Sequence, residues 1–338
     1  MKKATVIILL GFALLLAAFT PEAPVAFTIP NGWPAPAYNF KKNPPDADKI
    51  LLGRILFYDP ILSRDSTISC ASCHLQYTAF THTDHSLSHG IEGRIGTRNS
   101  SVLVNLAWSN SFMWDGAVKN LDQQAEKPIT HPMEMDENIQ HVATRLNSSH
   151  LYRRLFYMAY NDSVATPKRI QQSLSQFMLT LVSSNAKYDR VKQGTDTFTI
   201  AEANGYTFFK QHCNTCHTEP LFTNNRFENN GLAVDGTLHD IGRMQVTGRA
   251  KDSLKFKTPT LRNIALSYPY MHDGRFKTLG MVLNNYSMGI VQTPTLHPQL
   301  KKGIYFTPLQ KAEMIAFLNT LTDTTFLRNP AYSYPGKF

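Results

Sequence analysis

Apolar residues recur at helical spacing in stretches that fall into matched pairs. Ile50, Leu51, Ile55 and Leu56 predict a helix that ends near Asp59-Pro60. Thr199-Ile200-Ala201-Glu202 has the form of a capping box and opens a second helix running through Phe208 and Phe209 towards residue 213. The two share a local pattern, Gly53-Arg54-Ile55-Leu56-Phe57 against Gly205-Tyr206-Thr207-Phe208-Phe209. A second pair starts at Thr166-Pro167 and Thr307-Pro308, each a cap residue before a proline at the first helical position. These helices carry Phe177-Met178-Leu179-Thr180-Leu181 and Phe317-Leu318-Asn319-Thr320-Leu321, 140 positions apart. Ile170, Leu174, Phe177 and Leu181 read as core. A further helix places Leu279, Val282, Leu283 and Tyr286 on one face, with Met288 turned about 200° from Tyr286. The pattern predicts an all-α chain of two similar units, residues 45–188 and 189–338, with the boundary in the polar stretch from Ala186 to Thr197.

Composition changes this picture mainly at the N-terminus. Met1-Lys2-Lys3 ahead of the apolar run Val6 to Ala18 predicts a secretory signal peptide over 1–22 and hence a periplasmic protein. A retained membrane anchor is the competing reading, because no small-residue cleavage site stands out between Ala17 and Ala26. Residues 23–44, rich in Pro, Ala and Asn, read as an extended arm or linker. A length of 338 residues with 42% hydrophobic content suits two globular domains. The formal charge of +9 comes from scattered Lys and Arg. It points away from nucleic acid and mildly towards an acidic redox partner.

The chemistry lies in Cys70-Ala71-Ser72-Cys73-His74 and Cys213-Asn214-Thr215-Cys216-His217, 143 positions apart, which together use all four cysteines. C-x-x-C-H is the attachment pattern of c-type haem: two thiols form thioethers and the imidazole ligates iron. A zinc ribbon needs its second pair roughly 15–20 residues on, and a thioredoxin-like pair needs neither histidine nor duplication. Two covalent haem c groups are therefore predicted, with His74 and His217 as iron ligands. Export agrees, since c-type attachment is completed outside the cytoplasm. Helix, C-x-x-C-H, variable middle and closing helix is the order of elements in a cytochrome c domain.

Further motifs stand between the pairs: Ser88-His89-Gly90, Gly96-Thr97-Arg98-Asn99-Ser100, Phe112-Met113-Trp114-Asp115-Gly116, Gln124-Ala125-Glu126-Lys127-Pro128-Ile129, Glu134-Met135, Phe256-Lys257-Thr258-Pro259-Thr260-Leu261-Arg262-Asn263 and Pro269-Tyr270-Met271-His272-Asp273-Gly274. In these the chain resembles the bacterial di-haem cytochrome c peroxidases over nearly its whole mature length. The resemblance implies that Glu134 is the distal acid–base group of the peroxidatic haem, Gln124 the amide lining that pocket, and Trp114 an indole between the haems. It implies that His89 ligates the first iron in the resting state, although His82 and His85 compete for that role. It also implies calcium at the domain interface, held by Asn99 and the carbonyls of Ser267 and Pro269. Pro132, Met133 and Met135 give Glu134 an apolar setting that would raise its pKa.

One position departs from the pattern. Fourteen residues after His272, where typical peroxidases have a methionine ligand for the second haem, this chain has Tyr286, with Met288 two residues later. Tyrosine there resembles the di-haem enzyme that matures the tryptophan-derived quinone cofactor of methylamine dehydrogenase. A phenolate would lower the haem potential and a thioether would raise it. The resemblance implies a peroxidase that reduces hydrogen peroxide with electrons from a small donor, a monohaem cytochrome c or a copper protein, and a family habit of homodimers. The competing readings are an enzyme that oxidises side chains of a partner protein and a plain di-haem electron carrier.

Overall fold

The structure, a computed structural model, describes residues 25–336, so the expected signal peptide lies outside the described residues. Seven helices carry the account: α1 (Ala47–Tyr58), α2 (Leu121–Gln124), α3 (Glu126–Thr130), α4 (Pro167–Thr180), α5 (Ile200–His212), α6 (Leu279–Met288) and α7 (Pro308–Asn319). Their starts reflect local chemistry. Asp46 accepts from Lys49 N at 2.9 Å to begin α1. Thr199 with Glu202, and Thr307 with Gln310, form capping boxes at α5 and α7. Pro167 and Pro308 stand in the first turns of α4 and α7, where a missing N–H costs nothing. The only strands among the described residues are β1 (Phe227–Glu228) and β2 (Phe256–Lys257), an antiparallel pair.

Helix α1 packs on α4, and α5 packs on α7. Both crossings are set by a glycine. A Cβ on Gly53 would lie 1.8 Å from Ser173 O, and one on Gly205 would lie 2.0 Å from Glu313 O. Only a residue without a side chain lets each pair of backbones approach so closely. Around them form two apolar cores. The first holds Leu52, Leu56, Phe57, Ile170, Leu174, Phe177 and Leu181; the second holds Tyr188, Phe209, Phe222, Met314, Phe317 and Leu321.

An asparagine in left-handed conformation locks each closing segment. Asn105 exchanges side-chain bonds with Ser183, Nδ2 to O at 3.2 Å and N to Oδ1 at 2.9 Å, and takes Leu181 O with its own N–H. Asn263 repeats this with Leu321 O and with Asp323 N, which donates to its Oδ1 at 2.8 Å.

The expected boundary stretch from Ala186 to Thr197 contains the helix Lys187–Lys192, Tyr188 packs in the second core, and Asp189 pairs with the fully buried Arg262. The N-terminal arm has no helix or strand among its described residues, yet Phe27, Trp33, Tyr38 and Phe40 pack on the first core. Trp33 also covers the Arg262 guanidinium of the second unit at 4.6 Å. The C-terminal segment returns to the first unit, where Arg54 donates to Ser333 O and Pro330 O at 2.7 and 2.8 Å. Among the described residues no helix is long and apolar enough to cross a membrane.

Candidate haem and peroxide site

One cavity of about 610 Å³ reaches Cys73 and His74 in the first unit and Cys213, Cys216 and His217 in the second. At both ends the histidine is prepared in the same way. His74 Nδ1 bonds Phe80 O at 2.7 Å, and His217 Nδ1 lies 3.2 Å from Phe222 O and 3.1 Å from Pro259 O. A carbonyl on Nδ1 fixes the ring with its proton there and leaves Nε2 as the metal-binding atom. Burial holds both imidazoles down at about 4, so they are neutral.

The four thiols form no disulfide. Burial pushes Cys70 and Cys213 up to about 12 and Cys73 and Cys216 up to about 11, the opposite of the depressed values a redox-active pair needs. Paired thiols, oriented neutral histidines and a shared cavity fit two covalent haems.

The distal walls differ. At the first end the cavity is lined by Gln124, Pro128, His131 and Glu134. Glu134 stands in the turn after α3, its N–H on His131 O and its O accepting from Ile91 N at 2.8 Å. Burial raises its carboxyl above the usual range, with His131 opposing. Gln124 ends α2 and points Nε2 at Met113 Sδ, 3.9 Å away. At the second end the wall includes Tyr286 on α6, whose phenol is pushed up to about 12 by burial against an opposing hydrogen bond from Asn230.

Trp114 lines the cavity and donates Nε1–H to Asn99 O at 2.9 Å. Asn99, Ser267 and Pro269 also border the cavity. Asn99 Nδ2 is given to Ser86 O at 3.0 Å. Beside them Arg98 joins the two units, bonding Asp115 at 2.6 Å and Asp240 at 2.7 Å.

Two expected ligands are not brought to the cavity. Met288 is 85% exposed at the last residue of α6, on the face turned away from Tyr286. His89 does not line the cavity wall. Its backbone bridges Ile95, its carbonyl accepts from Cys73 Sγ, and its ring stacks on His85, with centroids 4.0 Å apart.

The structure also exposes a repeat that the periodicity of the helices does not show. Asn105 and Asn263, Met113 and Met271, Asp115 and Asp273, Gly116 and Gly274, and Leu121 and Leu279 are each 158 positions apart. The local bridges Phe112–Val118 and Tyr270–Phe276 coincide in this register. It sets His272 opposite Trp114 and Pro128 opposite Tyr286. His272 and Pro128 both stand on the cavity wall, and sequence reasoning gives neither a role there. The shared Met-x-Asp-Gly is the signal that could have found them.

Known proteins agree with this geometry. The sequence profile that matches residues 47–197 is described as di-haem cytochrome c peroxidase. The methylamine utilization protein MauG of Methylorubrum extorquens is 33% identical over 83% of this chain and 80% of its own. Cytochrome c551 peroxidase of Nitrosomonas europaea is 34% identical over 82% and 81%. Among solved structures, a MauG-like protein associated with microbial copper homeostasis aligns with TM-score 0.81 and 31% identity, covering 91% of this chain and 99% of that one. With two equivalent haem-binding ends in one cavity and relatives of this extent, the chain belongs to the di-haem cytochrome c peroxidase and MauG family.

Proposed function

We propose that the protein is a periplasmic di-haem peroxidase that reduces hydrogen peroxide to water with electrons from a small redox protein, a monohaem cytochrome c or a copper protein. The observation that carries this reading is the unequal pair of distal walls: Pro128, which has no ligating atom, beside Glu134 and Gln124 at one end, and the Tyr286 phenol at the other. Each haem, when bound, would supply a redox-active iron, able to take peroxide where the chain offers it no further ligand and to relay electrons where the chain does.

The chain's own residues do the rest. His74 and His217 present Nε2 on one side. Glu134, its proton affinity raised by burial, takes a proton from one peroxide oxygen and returns it to the other. Gln124 offers that pocket an amide, and Trp114 fills the wall between the two ends. This reading assigns the second iron to Tyr286, which lines the cavity, over Met288, which is exposed. His89 would have to leave its stack on His85 before it could serve the first. A calcium ion at Asn99 with the Ser267 and Pro269 carbonyls belongs to the same reading; these hard, neutral oxygens suit it. The net charge of +9 favours an acidic donor.

A second reading, oxidation of side chains in a partner protein, is favoured by Tyr286, because an anionic oxygen ligand stabilises oxidised iron. Steady-state turnover of peroxide with reduced cytochrome c tests the first against it. Turnover supports the peroxidase, and its absence in protein carrying two haems overturns it, leaving the second reading or a plain electron carrier.

A further inference from the structure

Among the described residues Lys257 is a cation without a counterion. It lies on β2, and its backbone N–H donates to Trp114 O at 2.7 Å, joining the second unit to the loop that carries the indole. Its side chain lines the cavity, with Nζ donating to Ser111 O at 2.9 Å and standing 5.8 Å from the centre of the Phe112 ring. Among the described residues it makes no ion pair, unlike Arg98, which has Asp115 and Asp240, or Arg262, which has Asp189. Burial alone pushes its ammonium down to about 8.

An ammonium in such a place is costly unless an anion accompanies it. The carboxylates bordering the cavity do not fill the role: Asp115 is held by Arg98, Glu134 is close enough to Cys73 to raise its pKa, and Glu228 acts in the same way on Cys216. The groups expected in the cavity bring about four propionates between them.

We propose that Lys257 is the counter-cation of a haem propionate beside Trp114, orienting that haem and raising its reduction potential. The inference rests on the two-haem reading. A fixed positive charge nearby disfavours the more positive, oxidised iron, so removing it lowers the potential.

The test uses the mature holoprotein and two variants. Lys257→Gln keeps a donor for Ser111 O and removes the charge; Lys257→Arg keeps the charge. Haem content is counted by pyridine haemochrome, and both midpoint potentials are read by spectroelectrochemical titration. The expected result is two haems in every form, one midpoint shifted downward in Lys257→Gln, and a return towards the wild-type value in Lys257→Arg. If Lys257→Gln fails to mature, Lys257→Arg decides alone. Two haems at wild-type potentials support the counter-cation, and failure or a displaced potential overturns it. Unchanged potentials in Lys257→Gln with both haems present overturn the inference and leave the haem reading intact. Fewer than two haems in the wild type overturns the haem reading itself.

Discussion

The two ends of the cavity are built on one plan and finished differently. Each has a helix crossing at a glycine, a histidine tied through Nδ1 to a carbonyl, an Asn lock and a Met-x-Asp-Gly turn. The difference lies in the segment just C-terminal to that turn. In the second unit α6 runs unbroken from Leu279 to Met288 and delivers Tyr286 to the wall. In the first, the matching stretch is split into α2 and α3, with Pro128 where the tyrosine would be. A proline cannot donate to the carbonyl four residues back and cannot ligate a metal. The comparison teaches that one matched position on a repeated scaffold gives the two ends different walls, a phenol at one and a side chain with no ligating atom at the other. The family relationship carries peroxidase-type oxidoreductase chemistry.

The largest expected effect tests the open end. Glu134→Gln preserves size and removes the titrating group, so peroxide turnover should fall by roughly 10²–10⁴-fold with both haem spectra unchanged. Turnover within about threefold of wild type would return Glu134 to a structural role. The substitution has no counterpart effect expected at the second end.

The glycine crossings test the shared plan. Gly53→Ala and Gly205→Ala each force a methyl into a backbone carbonyl, and each should cost about 3 kcal/mol by chemical denaturation. Similar losses support equivalence of the two units; a loss in one alone breaks it.

The smallest effect concerns the Asn locks, which differ in charge. Asp323 accepts from Asn185 N, Phe326 N and Thr325 Oγ1, and these bonds hold its carboxyl below the usual range despite burial. Ser183 holds the corresponding place in the first unit and does not titrate in this range. A depressed folded pKa means that the Asp323 contribution is fully present above its unfolded value and fades as pH falls through the folded one. Asp323→Asn should therefore cost about 1–2 kcal/mol near neutrality, and the difference from wild type should shrink on acidification below about pH 4. A difference that does not change with pH would show that the charge is irrelevant.

Much of this plan is legible in the chain. Caps and prolines mark the starts of α4, α5 and α7, because those signals are local. The paired C-x-x-C-H runs mark both ends of the cavity. Helical phase alone favours Tyr286 over Met288, and the exposure of Met288 agrees. The second register is harder to see. The units differ in length on both sides of it, so 143, 158 and 140 positions separate equivalent parts, and no single offset aligns them. The arm looks slack in sequence since Pro-rich stretches carry no periodicity, while its docking depends on Trp33 and Tyr38 meeting surfaces distant in sequence. A motif places His89 in the chain, but its backbone bridge to Ile95 and its stack on His85 are contacts that the motif does not encode.

The central claim is the asymmetry of the two irons, and the most direct measurement is the EPR spectrum of the oxidised holoprotein, taken with and without Tyr286→Phe. The account predicts one high-spin ferric signal from the open end and one low-spin signal from the end closed by tyrosine. Only the second should change in Tyr286→Phe, and neither in Met288→Leu. Two low-spin signals, or a methionine-ligated haem that survives Tyr286→Phe and disappears in Met288→Leu, would contradict it.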